Sequence, residues 1–179
     1  VHKVLAILQV KLGYSEQLEE SLAGFSDTSN DSGIYANLGM EFLQQGNKNS
    51  AIEMFEKASK LSPKDAKVKA QLGILKLKKT EREAISELTE VLELDPDFKA
   101  ANIALAMTHL KNGDTEKAIQ IADRWIAENP KNNAAIILRG NIALKSGQQD
   151  DATKYFIQAN ENDPTDVLPL FNLAVISAE

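Results

Sequence analysis

The chain has 179 residues, of which 43% are apolar and 26% charged, so it can bury a core and is too apolar to be disordered. It contains no cysteine, which excludes disulfides, thiolate metal sites and cysteine nucleophiles. Its net charge of −6 argues against binding of nucleic acid or of an anionic membrane surface, because both require an excess of Lys and Arg.

Helical spacing of the apolar residues predicts eleven helices, and Pro63 is expected to end the fourth while Asp65 caps the fifth. The predicted fold class is therefore all-α. No apolar run is long enough for a membrane span, so direct membrane insertion is not expected. In chain order the predicted helices cover residues 1–12, 15–25, 32–45, 48–61, 65–79, 81–94, 98–112, 115–128, 132–146, 149–162 and 166–178.

Three columns of residues recur every 33 or 34 residues, which indicates an internal repeat of one helix pair. Small residues are needed where two antiparallel helices cross closely, and Phe55 and Phe156 are expected to fill the space beside such crossings. The columns are Pro63, Pro96, Pro130 and Pro164; Ala51, Ala84, Ala118 and Ala152; and Gly39, Gly73, Ala106, Gly140 and Ala174.

This pattern resembles the tetratricopeptide repeat (TPR), whose period is about 34 residues. The resemblance implies a right-handed α-α superhelix of antiparallel helix pairs. Trp125 departs from it, since its column normally holds a small residue, and the turn at 79–81 is one residue short and lacks glycine. The implied units are a degenerate one at 1–31, four at 32–65, 66–98, 99–132 and 133–166, and the first helix of a truncated one at 167–179.

In this family the first helix of each pair lines a concave groove where ligands usually bind. The resemblance therefore implies a protein or peptide partner on these helices. The corresponding residues are Ala36, Met40 and Leu43; Lys67, Ala70, Ile74, Leu77 and Lys78; Ile103, Met107, Leu110 and Lys111; and Ile137, Asn141, Leu144 and Lys145.

Two interpretations of this mostly apolar stripe stay open. An apolar groove favours an apolar or amphipathic peptide or helix as its ligand. Alternatively, the stripe packs between neighbouring first helices, as regular columns usually do. Such a column is formed by Leu43, Leu77, Leu110 and Leu144.

A lysine column also has two interpretations. Its members could neutralise acidic groups on a ligand, or they could complement the negative end of the helix dipole, which is the simpler expectation. The column comprises Lys11, Lys78, Lys111 and Lys145. The family's carboxylate clamp is not expected, because its positions hold Ala36, Met40, Gln71, Ala100 and Ala104.

No pattern of catalytic or metal-binding residues is recognisable. The two histidines, His2 and His109, lie far apart in sequence, and His109 falls in an apolar column. Asp95-Pro-Asp97 lacks the glycine and terminal glutamate of a calcium loop, which favours a turn. We therefore expect a non-enzymatic protein-interaction scaffold without cofactor or metal.

A narrower resemblance is carried by four short stretches, 113–118, 129–130, 140–143 and 168–174. They are similar to bacterial repeat lipoproteins of the PEP-CTERM exopolysaccharide export system. This implies an envelope protein, facing the periplasm, that supports polymer export. The alternatives are a cytoplasmic adaptor or chaperone-like module, and a self-associating structural spacer. The chain begins at Val1 and is expected to be a fragment, so a signal peptide with a lipobox cysteine would discriminate the first two.

The last predicted helix presents apolar residues with no following helix to cover them. Helical solenoids need polar caps to remain soluble, so an end-to-end homodimer is expected. The contact would involve Leu168, Leu170, Phe171 and Val175.

Overall fold

The computed structural model describes residues 2–14, 18–23 and 28–178. Within these ranges the chain forms eleven α-helices and one 3₁₀ turn, Ser29–Asp31, and it has no strand. The helices are α1 His2–Lys11, α2 Leu18–Ala23, α3 Ser32–Gln44, α4 Lys48–Leu61, α5 Ala66–Lys76, α6 Glu81–Leu94, α7 Lys99–Lys111, α8 Thr115–Glu128, α9 Asn133–Lys145, α10 Gln149–Asn162 and α11 Val167–Ser177.

The predicted helix bounds are confirmed closely along most of the chain. Helices α4, α6, α8 and α10 match at both ends, and Asp65 caps α5 by accepting hydrogen bonds from the amides of Lys67 and Val68. Helix α2 lies inside the predicted range 15–25, of which residues 15–17 and 24–25 are outside the described residues.

Helix α5 is the exception, because it ends at Lys76 and not at residue 79 as predicted. Helices α3, α7 and α9 are each followed by a glycine with a φ of 76° to 82°, a left-handed conformation that reverses the chain after a full helix. The turn after α5 has no glycine. Instead, the amides of Lys79 and Thr80 donate to the Lys76 carbonyl at 2.9 and 2.8 Å, so the helix closes earlier.

The chain divides into two compact units, residues 1–94 and 95–179. In the first unit, α1 packs on α2 and α3. Further along, α3 packs on α4, α4 on α5 and α5 on α6. In the second unit, each helix from α7 to α11 packs on the next, and α7 also contacts α9. No helix among the described residues combines the length and apolarity that crossing a lipid bilayer requires.

Each close helix crossing depends on a small residue, as predicted. A Cβ added to Gly39 would lie 2.9 Å from the Phe55 ring, and one added to Gly140 would lie 2.7 Å from the Phe156 ring. Both distances are shorter than a carbon–carbon contact allows. Glycine thus lets α3 approach α4, and α9 approach α10, closely enough for one aromatic ring to fill the crossing.

The α7–α8 pair fills its crossing with a different residue. Its small residue is Ala106, and the position that holds Phe55 in the first pair is occupied by Ala122. Trp125, one helical turn later, is buried in the same cluster as both alanines. The bulk missing at Ala122 is therefore supplied by Trp125, which explains an indole in a column that holds Ala or Val in the other pairs.

Candidate functional site

The predicted binding stripe of the first unit lies on α3 and α5, and it is only partly accessible. Met40 is 41% exposed, whereas Ala70 is 1% exposed. Ala36 and Leu43 are half-buried against the core of this unit. Ile74 and Leu77 are also half-buried, and Lys67 and Lys78 are exposed. Met40 is thus the most open apolar residue of the stripe here.

In the second unit the stripe lies on α7 and α9. Ile103, Met107 and Leu110 are half-buried and pack on the cluster around Trp125. Ile137 is 9% exposed and belongs to the cluster around Phe156, on which Leu144 also packs. Asn141 accepts a hydrogen bond from Asn172 at 3.4 Å. Packing therefore accounts for Ile137, while the outer parts of α7 remain accessible.

A pocket opens at the carboxyl ends of α7 and α9. Its lining combines apolar side chains with two exposed amino groups, those of Lys111 and Lys145. No ion pair or hydrogen bond joins either amino group to another described residue. We call this feature the α7–α9 pocket; it is lined by Met107, Leu110, Lys111, Thr115, Lys145 and Ser146.

Comparisons with known proteins identify the helix pairs. Two family models described as tetratricopeptide repeat match residues 32–65 and 79–142, which together exceed half of the chain. These residues form tetratricopeptide repeats. The crystal structure of YrrB, described as a TPR protein with an unusual peptide-binding site, superposes with a TM-score of 0.68 at 18% identity, covering 97% of this chain and 90% of YrrB. The fold is that of a TPR solenoid.

Two relatives contain parts similar to this chain. The photosystem I assembly protein Ycf3 of Synechococcus sp. (strain CC9902) is 37% identical over 87 residues, covering 43% of this chain and 50% of Ycf3. The peroxisomal targeting signal receptor of Komagataella phaffii is 29% identical over 160 residues, covering 86% of this chain and 27% of the receptor. The chain thus spans half or less of the length of either relative.

The four lysines of the repeated column differ in their position relative to the helix ends. Lys11, Lys111 and Lys145 end α1, α7 and α9, where they complement the helix dipole. Lys11 also pairs with Glu41 at 3.3 Å. Lys78 lies beyond the end of α5, so the dipole explanation does not hold for it.

Sequence reasoning missed an ionic cluster between α4, α5 and α6. The amino group of Lys76 lies 2.9 Å from Glu56, 3.0 Å from Glu87 and 3.9 Å from Glu83. Burial lowers the pKa of Lys76, but the hydrogen bonds to Glu56 and Glu87 outweigh it and raise the pKa above its usual 10.5. These residues come from three helices and share no repeat column, so no spacing signals them. One ammonium faces three carboxylates, so the cluster keeps a net negative charge while its ion pairs tie α4, α5 and α6 together.

His109 lies half-buried, as its apolar column predicts, with Nδ1 3.5 Å from Asp114. The pKa of Asp114 is lowered, mainly by the hydrogen bond from Lys117 and secondarily by His109. Among the described residues, no group of three His, Asp or Glu side chains is placed to hold a metal ion.

The apolar face of α11 is open to solvent within the described chain. Leu168, Leu170, Phe171 and Val175 are 56%, 50%, 66% and 37% exposed. Pro169 of the same helix is completely buried. One side of α11 therefore packs on α10, and the opposite, apolar side is exposed to solvent.

Proposed function

We propose that this chain is a non-enzymatic scaffold that binds a partner peptide or helix on the first helices of its TPR units. The observation that carries the proposal is the α7–α9 pocket, where half-buried Met107 and Leu110 remain accessible beside two amino groups that no described residue pairs with. Apolar surface held in place by a packed core and bordered by polar groups is typical of a peptide-binding site.

The second support is the chemistry of the exposed residues. Met40 in the first unit and Met107 in the second occupy the same repeat position. Methionine is flexible and polarisable, so it adapts to different apolar partners. The description of YrrB as having a peptide-binding site, and the name of the peroxisomal targeting signal receptor, agree with this role.

The test is a selection of random displayed peptides on the purified chain. The site variant carries Met40→Glu and Met107→Glu, and the control carries Leu94→Glu and Ile157→Glu. Leu94 and Ile157 are exposed by 47% and 45% on second helices, so the control matches the change in charge and apolarity away from the site. Circular dichroism verifies that each variant is folded.

Peptides that bind the native chain and the control, but not the site variant, support the proposal. Equal binding to both variants would place the site elsewhere. Failure to select any peptide would contradict peptide binding altogether.

A narrower role in bacterial exopolysaccharide export within the PEP-CTERM system, as part of a lipoprotein, rests on the four short stretches of sequence alone. It implies location in the cell envelope, whereas a cytoplasmic adaptor or chaperone-like module implies the cytosol. Fractionation of the source cells followed by immunoblotting separates the two roles. Recovery in the cytosol would contradict the export role.

A self-associating spacer is the second candidate function. The observation that favours it is the exposed apolar face of α11, where Phe171 is 66% exposed. A second copy of the chain could cover this face through an end-to-end contact.

A further inference from the structure

The α7–α9 pocket is lined by two lysines, Lys111 and Lys145, although the chain as a whole has a net charge of −6. We propose that it binds a peptide segment in which an apolar side chain is flanked by carboxylates. The inference rests on the proposed peptide-binding function and names the class of ligand for one of its sites.

The first argument is that the two amino groups are available. Lys111 and Lys145 stand 34 residues apart at the same repeat position, and both line the pocket. Elsewhere in the described chain, Lys11 pairs with Glu41, and Lys76 with three glutamates.

The acidic residue nearest to Lys111 in sequence is already engaged. Asp114 precedes pocket residue Thr115, but its carboxylate accepts from Lys117 at 3.1 Å and lies 3.5 Å from His109. Among the described residues, no carboxylate lies within ion-pair distance of either pocket amine. An external carboxylate would meet two uncompensated cations there.

The helix dipole does not cancel this charge. A helix carboxyl end is equivalent to about half a negative charge, whereas each ammonium carries a full positive one. The ends of α7 and α9 together therefore leave a net charge of about +1 at the pocket mouth. On a chain of net charge −6, such a local positive site directs acidic segments toward this pocket and not toward the remaining surface.

The apolar floor supplies the other half of the recognition. Met107 and Leu110 are half-buried against the cluster around Trp125, so their exposed parts are held in a defined position. Ser146 contributes little polarity, because its hydroxyl donates to the Ile142 carbonyl at 2.8 Å. An apolar side chain of the ligand would lie on this floor while flanking carboxylates face Lys111 and Lys145. Burial of the ligand's apolar side chain then supplies the affinity, and the two lysines select ligands with negative charge.

The experiment combines peptide selection with synthetic probes. Random displayed peptides are first selected on the native chain. Fluorescence polarisation then measures binding of three labelled probes: Glu-Asp-Leu-Phe-Glu-Asp, Lys-Lys-Leu-Phe-Lys-Lys and Glu-Asp-Ser-Ser-Glu-Asp. The test variant carries Lys111→Glu and Lys145→Glu. The control carries Lys64→Glu and Lys131→Glu, two exposed lysines that also share one repeat position and change the net charge equally.

We expect the selected peptides to be enriched in Asp and Glu beside apolar residues. The acidic apolar probe should bind at least about tenfold more tightly than either other probe, and the test variant should lose about tenfold in affinity. The control should stay within about twofold, since its lysines lie outside the pocket. Rising salt should weaken binding to the native chain.

Selected peptides without acidic enrichment, whose binding survives the Lys111 and Lys145 reversals, would overturn this inference and leave the proposed peptide-binding function intact. Equal losses in the test and control variants would also overturn it, because the effect would then follow net charge. If no peptide is selected, both the inference and the proposed function fail.

Discussion

The indole Nε1 of Trp125 donates a hydrogen bond to Oδ1 of Asp97 at 2.5 Å. The bond ties α8 to the turn that precedes α7, and the side-chain amide of Asn132 donates to the same oxygen at 2.8 Å. Trp125 is 1% exposed, so its N–H needs a partner inside the protein. The carboxylate of Asp97 therefore makes a tryptophan acceptable in a column that otherwise holds Ala or Val.

Replacing Asp97 should consequently destabilise the second unit. Asp97→Ala leaves the indole N–H and the Asn132 amide without this acceptor, and we expect a loss of about 1–2 kcal/mol in the free energy of unfolding. Urea unfolding followed by fluorescence reports this directly, because Trp125 is the one tryptophan of the chain.

Asp97→Asn is the matched variant, since it keeps an oxygen acceptor of the same shape and should retain most of the stability. A double-mutant cycle with Trp125→Phe isolates the indole bond, with unfolding then followed by circular dichroism. Additive effects of Asp97→Ala and Trp125→Phe would mean that the bond contributes nothing.

The close crossing of α9 and α10 predicts a strong effect of one methyl group. Gly140→Ala places a Cβ 2.7 Å from the Phe156 ring, so the ring or the helix must move. We expect a loss of about 1–3 kcal/mol in thermal or urea unfolding.

Gly33→Ala is the control for this substitution. Gly33 lies in α3 with nothing within 4 Å of an added Cβ, so better helix propensity should make the change neutral or stabilising by up to about 1 kcal/mol. Equal effects at Gly140 and Gly33 would show that the α9–α10 crossing has room for a methyl group, contrary to the 2.7 Å approach of Phe156.

The Lys76 cluster predicts a pH-dependent contribution to stability. Lys76→Met leaves Glu56 and Glu87 without their amine partner, which should cost about 1–3 kcal/mol at neutral pH. Because the pKa of Lys76 is raised in the folded state, its stabilisation is fully present below the usual pKa of 10.5. That stabilisation is lost as the pH rises through the folded-state pKa.

The measurement is the difference in melting temperature between the native chain and Lys76→Met from pH 7 to pH 11. The difference should be constant at first and shrink at the alkaline end. Lys79→Met serves as control, since Lys79 lines the same pocket as Lys76, Glu56 and Glu83 but is exposed and forms no ion pair with a described residue. A pH-independent difference for Lys76→Met would contradict the role of its charge.

The exposed face of α11 predicts self-association of the chain. Sedimentation should show concentration-dependent dimers of the native chain, and Leu168→Glu with Phe171→Glu should abolish them by placing charge on this face. Ile157→Glu, an exposed change on α10, should leave the dimer intact. A native chain that stays monomeric at high concentration would refute the contact.

Much of the local architecture is determined by the sequence alone. The period of 33 or 34 residues, the small residues at helix crossings and the turn glycines each have a local physical cause, so they predict the helix pairs and their bounds. The early end of α5 also has a local cause, the absence of glycine at 79–81. The sequence reveals this absence, but only the structure shows that the helix is shortened by it.

The depth of burial and the partners of polar groups were decided only by the tertiary structure. The repeat register places Met40 and Ala70 on comparable helices, yet the first is 41% exposed and the second 1%. The Asp97–Trp125 bond spans 28 residues, and the Lys76 cluster joins three helices. A repeat pattern specifies which face of a helix meets its neighbour. How closely the faces approach, and which charges remain unpaired there, depends on the volumes of all the packed side chains together.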